Sequence, residues 1–181
     1  MLVGSGGLGK EVSPLLRALS LPGAEYVLPA VFARQLHGVA ARVGGVFGRF
    51  GVRADPFLSE IWAAWSRLTD ARAQRAFIHT IRATIDLAGQ RVSARDRLYL
   101  AHEIPTMVVW GDRDAVIPVS HAHVAHDLIP GSRLEVVEGA GHFLPLERPE
   151  LIDRLLRDFL ATTQPAHVSP ARWQQVLTSH G

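Results

Sequence analysis

Between Thr106 and Leu160 the sequence alternates strand-like and helix-like segments, and both strands stop at glycine. Thr106-Met-Val-Val-Trp110 is a β-branched, apolar run halted by Gly111-Asp112, and Arg133-Leu-Glu-Val-Val137 is a second run closed by Gly139-Ala140-Gly141. Between them Val119–Ile129 reads as a helix stopped by Pro130-Gly131. Pro149 then opens a helix whose Leu151, Ile152, Leu155, Leu156, Phe159 and Leu160 keep i, i+3, i+4 spacing. This alternation predicts an α/β fold, with parallel strands covered by helices.

In an open parallel sheet, reactive groups collect beyond the carboxyl ends of the strands. Each of the two strand ends delivers one titratable candidate. The first is followed by Gly111-Asp112-Arg113-Asp114-Ala115-Val116-Ile117-Pro118, the second by Glu138-Gly139-Ala140-Gly141-His142-Phe143. The Gly-Ala-Gly turn lets the backbone bend sharply and present His142 with little bulk nearby. A carboxylate at the neighbouring strand end can accept the imidazole N–H, fix its tautomer and stabilise the imidazolium formed when histidine acts as a general base. Asp114 is the expected acid, whereas Asp112 is expected to brace its turn through its own backbone.

These two loops resemble those of the α/β-hydrolase superfamily. Trp110-Gly111-Asp112-Arg113-Asp114 with Pro118 is similar to the acid loop, and Gly139-Ala140-Gly141-His142-Phe143 with Glu147-Arg148-Pro149-Glu150 to the histidine loop and last helix. The resemblance implies a partial α/β-hydrolase fold, its C-terminal strands and helices plus a helical cap. Residues 1–9 would be the end of a core strand and its exit loop, 10–98 the cap, 99–160 the C-terminal core and 161–181 a tail. It implies hydrolysis of an ester or related bond by a nucleophile–His–Asp triad, in which His142 and Asp114 are catalytic. Val116 and Phe143, beside them, are expected to line the substrate pocket.

The expected nucleophile motif, Gly-x-Ser-x-Gly, does not occur in the 181 residues. Its nearest approach is Val3-Gly4-Ser5-Gly6-Gly7, with valine at the first position. The sequence therefore reads as a C-terminal part, inactive alone, with the nucleophile on an upstream segment or partner chain. A non-catalytic remnant or subunit is the alternative, and association through an exposed sheet edge is expected.

The cap region reads as helical, with hardly any strand signal from about 30 to 98. A helix is expected over Val12–Leu19, stopped by Leu21-Pro22-Gly23, and another from Asp55-Pro56 to Leu68. Asp70 opens a third, with Phe77, Ile81 and Ile85 on one face and Gly89 as its end. Phe57, Trp62, Trp65, Phe77 and Ile81 suit a roof over an apolar small-molecule substrate. One further helix is expected around Ala171–Leu177.

Two other motifs invite different chemistry. Gly4-x-Gly6-x-x-Gly9 after an apolar strand fits a dinucleotide-binding fingerprint, which would need a second strand at Glu25–Leu28. His121, His123 and His126 could suggest a metal, yet no carboxylate stands at ligand spacing, so a solvated helix face is expected. No cofactor and no metal are expected.

Composition limits the remaining classes. Apolar residues make up 48% and charged residues 20%, outside the disordered range. Nineteen Lys/Arg against seventeen Asp/Glu, interleaved along the chain, give no basic block for nucleic acid. The absence of cysteine excludes disulfides, thiolate catalysis and Cys-ligated zinc. With no basic, apolar leader and no run of about 18 apolar residues, a soluble cytoplasmic protein is expected, without a membrane partner.

Overall fold

A computed structural model describes residues 1–26 and 71–179. The chain divides into two compact units, one formed by Met1–Lys10 with Ser93–Gly181, the other by Glu11–Val92.

The first unit is built on a three-stranded parallel sheet. Its strands are β1 (Leu2–Val3), β4 (Met107–Gly111) and β5 (Arg133–Val137), in the order β1-β4-β5. Val3 registers with Val109, and Val109 with Glu135. The apolar run of β4 has the composition of a strand covered on both faces, and all five of its residues are buried. β5 reads differently because it lies at the edge, where Glu135 and Val136 are exposed.

Helices follow the strands as the alternation predicts. A 3₁₀ helix (Arg95–Ala101) precedes β4, and α3 (Ser120–Leu128) connects β4 to β5. The short α4 (Leu144–Glu147) leads into α5 (Pro149–Thr162). Phe159, Leu151, Ile152 and Leu155 of α5 join Met107, Val109, Val137, Ala140 and Leu144 in one apolar cluster, which drives the docking of this stripe onto the sheet. Arg133 ties the start of β5 to α5, at 3.0 Å from Asp158 and 2.7 Å from Thr162 Oγ1. The last helix, α6 (Pro170–Thr178), starts as its sequence suggests, with proline in the first turn and the Ser169 hydroxyl accepting the Arg172 N–H.

The second unit contains α1 (Pro14–Leu19), α2 (Ala71–Thr84) and a small hairpin of β2 (Ile85–Asp86) and β3 (Gly89–Gln90). Ser13 caps α1 by accepting the Leu16 N–H. Arg82 of α2 pairs with Glu25 and donates to Leu21 O at 2.8 Å, which joins α2 to the turn after α1.

Several expectations are corrected. The third helix ends at Thr84 rather than Gly89, and Ile85 belongs to a strand. The Asp86 carboxylate accepts the Ala88 N–H at 2.7 Å, and Gly89 has φ +122°, which turns the chain into a hairpin. The region thus holds a short strand pair where the sequence shows hardly any strand signal. Residues 24–26 are helical where the dinucleotide fingerprint would need strand. The expected helix at 55–68 and the residues Phe57, Trp62, Trp65 and Asp70 lie outside the described residues. Among the described residues no helix is long and apolar enough to cross a membrane.

Candidate active site

The acid loop begins where β4 ends, and its shape is set by hydrogen bonds that its own residues supply. Asp114 Oδ1 accepts the N–H groups of Val116 and Ile117, both at 2.8 Å, in an Asx-type turn. The indole N–H of Trp110, the last large side chain of β4, donates to Ile117 O at 3.1 Å. The loop is thus pinned at both ends, and the second Asp114 oxygen is left to face outward from the turn.

The histidine loop is fastened to it beyond the end of the sheet. Asp112 N–H donates to Val137 O at 3.2 Å and Arg113 N–H to Ala140 O at 3.0 Å. Gly139, at φ +70°, directs its N–H to Asp112 Oδ1 at 2.7 Å. Asp112 therefore does not brace its own backbone, as its sequence suggests, but bridges to the neighbouring loop. Gly111 permits this approach: a Cβ there would meet Ala140 O at 2.2 Å and Gly141 O at 2.4 Å.

The result is a close pair. Asp114 Oδ2 lies 2.9 Å from His142 Nδ1, with the Asp114 side chain fully buried and that of His142 18% exposed. A carboxylate only accepts, so the bond places a proton on Nδ1 and directs proton exchange to Nε2. Burial of the carboxylate is tolerated because both oxygens are hydrogen-bonded.

Val116 is buried within the Asp114 turn, and half-buried Phe143 sets its ring edge-on to His142, with centroids 5.0 Å apart. The exit loop of β1 also reaches this place. Gly4 has φ +52°, and a Cβ on it would lie 3.4 Å from His142 Nδ1 and 3.2 Å from His142 O. Ser5, next in sequence, is half-buried. The glycines of the fingerprint motif do not open a helix, since α1 begins only at Pro14. Gly9 instead accommodates His121, whose Nε2 would lie 2.4 Å from a Cβ at that position.

The histidine trio does not form one solvated face. His121 is buried, and His126 Nδ1 lies 2.8 Å from Ser132 Oγ. Among the described residues no group of His, Asp and Glu is placed to hold a metal ion. Glu147 is a participant with no role assigned from sequence. Its carboxylate reaches back to the N–H of Phe143, the N-cap of α4, but from four residues on and with no Ser or Thr at the cap, so the capping-box pattern does not signal it.

A sequence profile described as "alpha/beta hydrolase fold" matches residues 25–149. The chain belongs to the α/β-hydrolase fold family. Among similar α/β-hydrolase and other sequences, an uncharacterized protein of Mycobacterium tuberculosis is 37% identical over 191 aligned positions, covering 100% of this chain and 54% of that protein. A monoacylglycerol lipase of Mus musculus is 40% identical over 60 residues, 33% of this chain and 18% of the lipase. A serine hydrolase involved in carbazole degradation shares 26% identity and a TM-score of 0.49, over 73% of this chain and 48% of that one. The chain spans about half the length of the mycobacterial relatives it matches.

Proposed function

We propose that this chain carries the base and acid of an ester hydrolase, His142 and Asp114, and that the nucleophile lies on polypeptide outside the 181 residues. The observation that carries the reading is the 2.9 Å contact of His142 Nδ1 with a fully buried Asp114 carboxylate. With Nδ1 so engaged, Nε2 takes the proton of the attacking hydroxyl as the carbonyl is attacked. It returns that proton to the leaving alcohol when the tetrahedral intermediate collapses. Water then repeats the sequence on the acyl-enzyme, and Asp114 stabilises the imidazolium each time.

Val116, in the Asp114 turn, and Phe143, edge-on to His142, are the apolar side chains beside this pair and contact the substrate. The similarity to a monoacylglycerol lipase, together with these apolar neighbours, favours an apolar acyl ester. A second reading, a non-catalytic chain completed by a partner, is favoured by the lack of any Gly-x-Ser-x-Gly sequence.

Hydrolysis of p-nitrophenyl esters separates the two. The chain alone is expected to show no turnover above a His142→Ala control, because on this reading the nucleophile and the oxyanion donor beside it lie on other polypeptide. Loss of one such donor alone costs about 10²–10³ in rate. Supplying the upstream coding segment as a second chain should restore turnover that His142→Ala abolishes. His142-dependent hydrolysis by the isolated chain would refute the missing nucleophile and direct attention to Ser5. Absence of turnover with the upstream segment folded and bound would refute the hydrolase reading.

A further inference from the structure

Glu147 uses both carboxylate oxygens on the histidine loop. Oε2 accepts the Gly141 N–H at 2.8 Å, and Oε1 accepts the Phe143 N–H at 3.0 Å. These are the amides immediately before and after His142, so one side chain grips the backbone on both sides of the imidazole. The return connection is also made, since Glu147 N–H donates to Phe143 O at 3.0 Å.

α4 is four residues long, far too short to persist from its own backbone bonds. Leu144 fixes it to the core, where that side chain is fully buried in the cluster with Met107, Val109, Val137, Ala140 and Phe159. The anchor at the start of α4 and the carboxylate at its end thus tie His142 to the sheet that holds Asp114. Bonds from amides to a charged acceptor are stronger than neutral ones, which suits a loop whose glycines offer little stiffness.

We propose that Glu147 is a positioning residue for His142, holding the flanking amides so that the ring stays in register with Asp114. As a statement about catalysis this rests on the hydrolase reading, but its geometric content does not.

The test therefore uses the ¹⁵N-labelled chain without any assay of turnover. In the wild type, the His142 Nδ1–H proton should appear downfield and exchange slowly, and the Gly141 and Phe143 amides should be protected. In Glu147→Ala, amide exchange at 141 and 143 should rise about ten- to a hundredfold, the span expected for loss of bonds to a charged acceptor. The His142 Nδ1–H signal should broaden or vanish, with signals of β4 and α5 unmoved. Glu147→Gln keeps one carbonyl acceptor, so it should protect one of the two amides and partly recover the ring signal.

Should Glu147→Ala not fold, Glu147→Gln decides by the same signals. An unchanged His142 ring signal in either folded variant would overturn the proposal, even with a lowered denaturation midpoint, because Glu147 would then only cap α4. Loss of the ring signal, together with absence of ester turnover when the upstream segment is folded and bound, would leave the positioning role standing and the hydrolase reading refuted.

Discussion

A methyl group on Gly111 would be driven into backbone oxygens, not into the end of a side chain that could swing away. Ala140 O at 2.2 Å and Gly141 O at 2.4 Å belong to the loop that presents His142. Gly111→Ala should therefore force the two loops apart, weaken the Arg113 N–H to Ala140 O bond and cost about 1–3 kcal/mol, as overpacking does. A lowered denaturation midpoint with loss of the downfield His142 proton is the expected result, read by urea titration and NMR. An unchanged midpoint would mean that the loops yield freely. The nearness of Asp114 to His142 is legible, because each stands at a fixed place in a strand-end motif and the two side chains lie within hydrogen-bond distance. The roles of Asp112 and Glu147 are not legible, because both are bonds to the backbone of a loop that sequence spacing does not locate.

Legibility at the level of helices and strands follows length. β4, β5 and α5 carry enough residues to show a period or an unbroken apolar run, and their bounds match expectation closely. The two-residue strands β2 and β3 carry no period at all, so Ile85 extends the helical spacing of Phe77 and Ile81 until an Asx turn at Asp86 intervenes. His121 is misread for a related reason. α3 is rich in alanine and histidine, and its inner face is chosen by the space beside Gly9 rather than by hydrophobicity. The attachment of α2 has its own pH signature. Hydrogen bonding to the Arg82 guanidinium, aided by the Glu25 and Gly23 amides, holds the Glu25 carboxyl down from 4.5 to about 2. A folded-state value below the unfolded one means that the pair stabilises the second unit fully above pH 4.5. That contribution declines as pH falls and is gone once pH drops through about 2. Amide exchange at Gly23, whose N–H donates to Glu25 Oε2, should accelerate over that interval in the wild type. In Glu25→Gln it should already be faster at neutral pH and show no such transition, after correction for intrinsic exchange.

Seen whole, the chain leaves its sheet after Lys10 and returns at Ser93, and the ends of this excursion are close within each unit. In the second unit Gln90 Nε2 donates to Glu11 O at 3.5 Å, and in the first Ala94 N–H donates to Gly7 O at 2.8 Å. A chain in which Glu11–Val92 is replaced by a short Gly/Ser linker should therefore still fold its first unit and keep the His142–Asp114 signal in NMR spectra. Loss of all dispersed signals would show that the sheet depends on the excursion. Closing a loop of about ten residues rather than about eighty lowers the entropic cost by roughly three doublings, about 2 kcal/mol if the longer loop were flexible. The paired ends have a further consequence for how such a chain can change over generations. To the sheet, an excursion that departs and returns at nearly one point is equivalent to a few residues, however long it grows. Its length and sequence can be rewritten at little cost to the strands whose ends bear Asp114 and His142, which stay fixed while it drifts.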